Sequence, residues 1–386
     1  MSRPGLIAVL TLLLGAACAG GSGNEQPPAV LQSELVTEAE FPTGLAIAPD
    51  GRLFYNELTS GKVRVVTADG DLLPAPLVEI DVATLGYPPS EWGLIGLALD
   101  PDFEANHYLY VYYMERVREV EETAETLSTL VARPVVVRFT EVDNRAEDPL
   151  VILSDAPESD PTRYPWHVAG NLHFGPDGNL YVTIGDMRNV DFAVDLSTLP
   201  GKVLRLAADG SAPDDNPFAG DPDADDRIFA YGFRNSFDFA FDDGGRLFAT
   251  ENGDFGCDEL NLVRPGADYG WRGDGSPDDC FDQAGTPPLH LFARPGETPE
   301  TSTVAPTGIE YVSGDRYPGL QGALLVCEWV TGFMRRYTLS GGDRDEVTYE
   351  EIVAKDCKLG IETGPDGTIY YANDTEIRRL VLPEDG

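Results

Sequence analysis

Lysine is nearly missing from this chain of 386 residues: Lys62, Lys202, Lys355 and Lys358 are all of it. Basic residues number 27 against 66 acidic ones, a formal charge of −39. So acidic a surface argues against nucleic acid or an anionic membrane as a partner, because both would be repelled; solubility, in a salty medium for instance, is the plainer use of the charge. No glycine-rich phosphate loop stands before a helix, which speaks against nucleotide cofactors. Convincing helical periodicity is scarce, and the apolar run near the start is too short to span a bilayer. Histidine is limited to His107, His167, His173 and His290. The five cysteines include no CxxC pair, so zinc is a poor explanation for them. What remains is a chain with 42% hydrophobic residues, enough to bury a core.

The first residues read as an export signal. "MSRPG" supplies one Arg, "LIAVLTLLLGAA" is a short apolar run, and small residues precede Cys18. "LGAAC" resembles a bacterial lipobox, which makes 1–18 a lipoprotein-type signal with Cys18 as the lipidated first mature residue. Cleavage by ordinary signal peptidase is the alternative. Residues 19–28, "AGGSGNEQPP", read as a flexible linker. Cys257, Cys280, Cys327 and Cys357 then form an even set in an exported chain, with Cys257–Cys280 and Cys327–Cys357 as the expected disulfides because they close short loops.

From residue 29 to 386 the chain is repetitive. "GLAIAPDGRLFYNE", "GLALDPDFEANHYLYVYY", "NLHFGPDGNLYVTIGD", "DFAFDDGGRLFATENGD", "GIEYVSGDRYPGLQGALLVCEW" and "GIETGPDGTIYYAND" each hold an apolar strand, a turn rich in Pro, Asp or Gly, and a second apolar strand. Most are followed by a third strand, such as "GKVRVV" or "GKVLRL". Repeats of this size predict an all-β fold, a six-bladed β-propeller. The strand-like "AVLQSELVTE" at 29–38 is expected to pair into the last blade and close the ring. The stretch 115–128 reads as a short helix or an extended hairpin, and 114–132, 143–165 and 212–227 as polar surface insertions.

Equivalent residues of propeller blades surround one axis. Counting five residues back from each inner-strand start gives Glu40, Trp92, His167, Arg234, Val304 and Asp356, with Glu91 and Asn235 as neighbours. A base, a guanidinium, carboxylates and an indole at one mouth would make a site rather than a core. Trp92 and Trp166 are candidate floors for a pocket at that mouth. His173 falls on the alternate side of its strand and reads as a packed or surface residue.

The quoted motifs, with "GFRNSFDFAFDDGGRLFATENGDFGCDELNLVRPGADYGW", resemble the soluble quinoprotein glucose and aldose sugar dehydrogenases from about residue 40 to 380. The resemblance implies a six-bladed propeller that binds pyrroloquinoline quinone (PQQ) and calcium (Ca2+) and oxidises an aldose at C1 to the lactone. It implies that His167 is the general base and that Arg234 is catalytic beside it. Glu91, Asn235, Asn252 and Lys358 would bind the cofactor, Gly253 and Asp254 the metal, and Asp186 matches the aspartate ending "xxGD". A small sugar would be the substrate; the electron acceptor is not indicated. The chain departs from the pattern where the family has cofactor-gripping cations: Val330 stands in a lysine's place, and Asp356 and Lys358 in those of two arginines. Asp254 and Ser236 replace prolines, and the resemblance implies that Asp258 and Glu259 fix a turn rather than react. A cofactor-free carbohydrate- or protein-binding propeller at the cell surface is the alternative, and a metal-dependent lactonase a third reading.

Overall fold

The computed structural model describes residues 30–85, 91–168, 170–273 and 285–382. The expected signal, anchor and linker (1–28) and Cys280 lie outside them. The described residues form six four-stranded antiparallel sheets, the expected propeller.

Apolar residues alternating with polar ones start each blade, and an Asp- and Gly-bearing turn reverses it. In blade three, Leu172–Phe174 pairs with Leu180–Ile184 across "GPDG", where the Asn179 N–H donates to Asp177 (3.1 Å) and Gly178 supplies φ 77°. The third strand, Lys202–Leu206, is buried throughout, because neighbouring blades cover both of its faces. Blades two and three share one apolar cluster, with Tyr112, Val136, Leu172, Val182 and Leu204 inside it.

The ring closes as expected. Ser33–Glu38 is the outer strand of blade six and pairs antiparallel with Glu376–Leu380. The stretch 115–128 is a hairpin end: Tyr108–Glu119 runs against Leu130–Val142. Two of the expected insertions are partly sheet. Met114, Leu130, Val131 and Ala132 are buried, and Arg145–Leu153 is the fourth strand of blade two. Its polar, Pro-containing sequence conceals a strand because only its far end is buried. Cys327 and Cys357 are disulfide-bonded, with Cα atoms 5.0 Å apart, tying two segments of blade five. No helix among the described residues is long and apolar enough to cross a membrane.

Candidate active site

One face of the ring opens into a cavity of about 550 Å³ lined by Glu91, His167, Arg234, Asn235, Asn252, Gly253 and Lys358. Seven of the eight residues singled out in the sequence therefore meet, from four blades. The eighth, Asp254, is not in the lining; its carboxylate accepts a hydrogen bond from the Arg234 guanidinium at 2.8 Å.

The count of five residues holds for His167 and Arg234 only. Trp92 and Val304 are buried in the core, at 2% and 0% exposure, and Glu40 and Asp356 point elsewhere. Residues one or two positions away line the cavity instead: Phe41, Glu91, Thr303, Ala305 and Lys358. An offset of one residue turns a side chain to the other face, which exchanges Trp92 for Glu91 and Val304 for Thr303 and Ala305. Of the two tryptophans considered as pocket floors, Trp166 lines the cavity and Trp92 does not.

His167 has a left-handed backbone, φ 59°. Its Nδ1 lies 2.7 Å from Asp186 Oδ1. A carboxylate only accepts, so Nδ1 carries the proton and Nε2 is left as the basic nitrogen. Asp186 is itself fixed: Oδ1 accepts the Arg188 N–H at 2.8 Å and Oδ2 the Trp271 indole N–H at 2.8 Å. Gly185 makes this approach possible, since a Cβ there would stand 2.3 Å from His167 O and 2.6 Å from Asn235 Oδ1.

The Arg234–Asn235 turn hangs from Glu251, whose Oε1 accepts both backbone N–H groups, at 2.9 and 2.7 Å. Burial pushes the Glu251 carboxyl up to about 8, with the nearby Glu259 adding to the rise. The Arg234 side chain donates to Asn252 O at 3.0 Å, bonds Asp254, and lies 5.5 Å from the Trp271 ring centre. Glu91 accepts from Val168 N–H (3.1 Å) and from the Asn235 amide (3.2 Å), joining blades two, three and four. Arg234 Nε and Asn235 Oδ1 are buried with no hydrogen-bond partner among the described residues.

Lys358 reaches the far wall. Its ammonium is 3.2 Å from Asp374 and 5.2 Å from the Trp329 ring centre. Val330, in the place of a family lysine, is 48% exposed and outside the lining, as is Asp356. Asp356 therefore adds no carboxylate to the wall. Asp258 does fix a turn, as expected. Its carboxylate accepts from Gly253, Thr303, Val304 and Ala305, pinning the Gly253 loop to blade five. Glu259 is likewise buried and accepts from the Asn261 amide at 3.0 Å.

Sequence reasoning missed Glu251, Trp271 and Asp374. Glu251 stands directly before the selected Asn252, and its strand position was a usable signal. Trp271 and Asp374 come from distant loops and offered none. His173, read as packed or surface, packs edge-on against Phe239 at 5.0 Å, and its Nε2 lies 2.8 Å from the buried Asp238, a charge pair that the sequence reading did not foresee.

The family model of glucose/sorbosone dehydrogenases matches residues 39–382. The aldose sugar dehydrogenase of Escherichia coli is 27% identical over 370 residues, covering 92% of this chain and 93% of that one. Quinoprotein glucose dehydrogenase B of Acinetobacter calcoaceticus is 29% identical over 257 residues, 61% of this chain and 51% of the relative. A solved glucose dehydrogenase superposes with a TM-score of 0.76 at 25% identity, covering 91% of this chain and 99% of that structure. With a match over nearly the whole propeller, the chain belongs to the glucose/sorbosone dehydrogenase family.

Proposed function

We propose that this protein is an exported, PQQ- and calcium-dependent dehydrogenase that oxidises an aldose at C1 to the lactone. The observation that carries the reading is the oriented imidazole: Asp186 holds the Nδ1 proton, and the other ring nitrogen is free to act in a cavity large enough for a cofactor and a sugar.

The residues fit PQQ, a flat tricarboxylate. Phe41, Phe237 and Trp329 offer apolar walls, Arg234 and Lys358 offer positive charge, and Arg234 Nε and Asn235 Oδ1 are polar atoms awaiting a partner. Arg234, Asn235, Asn252 and Lys358 would hold the cofactor, with Glu91 bracing Asn235. Bound PQQ would supply a two-electron acceptor for hydride. His167 Nε2 takes the proton of the C1 hydroxyl as the C1 hydrogen leaves with its electron pair, so that the C1–O bond becomes a carbonyl. Arg234 stabilises negative charge that builds beside it.

Calcium fits the side chains less well. Among the described residues no three His, Cys, Asp or Glu side chains are placed to hold a metal. Gly253 and Asp254 are the proposed ligands, but Asp254 is engaged by Arg234, and a hard cation takes six to eight oxygens. The lipid anchor at Cys18 and the export route complete the proposal and rest on the N-terminal sequence alone.

The experiment is titration of the chain from residue 26 with PQQ, with and without calcium, followed by dye reduction with a panel of aldoses. The expected result is saturable binding and sugar-dependent reduction. His167→Ala should keep the binding and lower kcat by roughly 10²–10⁴-fold. Absence of binding at tens of micromolar PQQ would reject the dehydrogenase in favour of a cofactor-free propeller, because both cavity cations already face carboxylates of the chain itself.

A further inference from the structure

The guanidinium at the centre of the site is already engaged by the chain itself. Asp254 Oδ1 accepts from Arg234 Nη2 at 2.8 Å, and the same oxygen lies 4.0 Å from Arg188 Nη1. One carboxylate oxygen thus stands between two cations of unlike setting. Arg234 is fixed and nearly buried: its side chain is 9% exposed, Nη1 donates to Asn252 O at 3.0 Å, and Nε has no hydrogen-bond partner among the described residues. The Arg188 and Asp254 side chains are 35% and 31% exposed.

The backbone on both sides is held. The Arg188 N–H donates to Asp186 at 2.8 Å, and Arg188 O accepts from the Arg163 guanidinium. Around Asp254, the Gly253 N–H donates to Asp258 at 3.0 Å and the Cys257 N–H to Pro299 O at 2.9 Å. Asp254 can therefore change partner by rotating about its own side-chain bonds, from one staggered position to another, with the loop at rest. The long Arg188 side chain closes the remaining gap.

We propose that Asp254 is a built-in competitor for the carboxylates of an anionic ligand: it holds Arg234 until a ligand carboxylate takes its place, and then passes to Arg188. Which anion it meets follows from the proposed dehydrogenase reading, on which this inference rests. A guanidinium so deeply buried is costly to leave unpaired, so only another anion displaces Asp254. The neutral sugar is thereby kept out of the cofactor's place, at the expense of a weaker grip on the cofactor. Asp254 stands where the family pattern has proline, which carries no carboxylate, so the competition belongs to this chain. Arg188 is a positioning residue that acts through Asp254.

The test titrates the full chain in calcium-free buffer with PQQ, followed by absorbance, and with benzene-1,3,5-tricarboxylate, followed by calorimetry. Asp254→Asn should lower the Kd of both anions by roughly 3- to 30-fold. Arg188→Gln should raise it by roughly 2- to 5-fold while Asp254 is present, and by less than about 1.5-fold in the Asp254→Asn background. A direct contact between Arg188 and the ligand would give the same factor in both backgrounds, and that result would overturn the proposal. So would an unchanged or raised Kd in Asp254→Asn, the latter by making the carboxylate a support of the ligand. Failure of both anions to bind either the wild type or Asp254→Asn would overturn it as well. If Asp254→Asn tightens the benzene tricarboxylate while PQQ binds to neither protein, the competition stands and the dehydrogenase reading fails.

Discussion

The left-handed backbone at His167 costs a non-glycine residue on the order of 1–2 kcal/mol. It is held by what surrounds it: the Met187 N–H donates to His167 O at 2.9 Å, and Asp186 grips the ring. Strain of this kind persists where the surroundings fix a side chain for use. Asp186→Asn would present an amide that bonds either imidazole tautomer. In the loaded enzyme it should lower kcat by roughly 10²-fold or more with sugar KM little changed, and stopped-flow dye reduction would read it. Glu251 gives a second contrast. Burial favours its neutral form, so Glu251→Gln should leave thermal stability nearly intact. Glu251→Ala strands the Arg234 and Asn235 N–H groups and should cost roughly 2–5 kcal/mol in denaturant unfolding.

At the level of elements, the inner hairpins were legible because "PDG" turns separate short runs of alternating apolar residues. The outer strands were not. Val78–Glu79 and His290–Leu291 are two residues long, and Glu346–Lys355 is mostly exposed, so neither length nor burial marks them in sequence. The site divides the same way. His167, Arg234 and Asn235 stand beside recognisable strand starts. Asp374 and Trp271 reach the site only because the ring brings distant loops together, and Glu91 rather than Trp92 faces the cavity, an offset of one residue that the pattern does not mark. The Cys327–Cys357 bond links the second strand of blade five to the loop that carries Lys358. Reduction, or Cys327→Ala with Cys357→Ala, should lower stability by about 3–4 kcal/mol, as expected for a closed loop of 30 residues. PQQ affinity should fall with it.

Across the whole molecule, buried acids set the response to pH. Burial raises Glu259, Glu310 and Glu328 to about 7 and Glu251 to about 8, and it lifts Glu362 well above its usual range. On the axis, burial alone would lower His173, but Asp238 beside it prevails, with Glu362 and Glu310 adding to it, and the imidazole rises to about 9. Every one of these groups holds its proton more tightly folded than unfolded. Their contribution is complete below the unfolded values, 4.5 for the glutamates and 6.5 for the histidine, and is lost as pH climbs through 7 to 9. Arg227 beside Asp155 holds that carboxyl low, while burial opposes, but does not cancel, the pull of Asn179 and Arg205 on Asp177 and of Arg227 on Asp225; these contributions are lost toward strong acid. Melting temperature should therefore peak at about pH 4–5 and decline toward about pH 9. A peak above about pH 8 in differential scanning calorimetry would contradict the assignment.

The seam in blade six, where Ser33 pairs with Leu380, has a kinetic meaning. Its partners are 347 residues apart, the most distant pairing in the fold, so five blades can assemble before it forms, and contacts so far apart in the chain are slow to find. Until they meet, the cavity has no fixed far wall, because Lys358 and Asp374 belong to that last blade. Capture of the proposed cofactor would then come late in maturation, and a ligand bridging Arg234 and Lys358 would act as a clasp on the ring, slowing its opening without touching the seam itself.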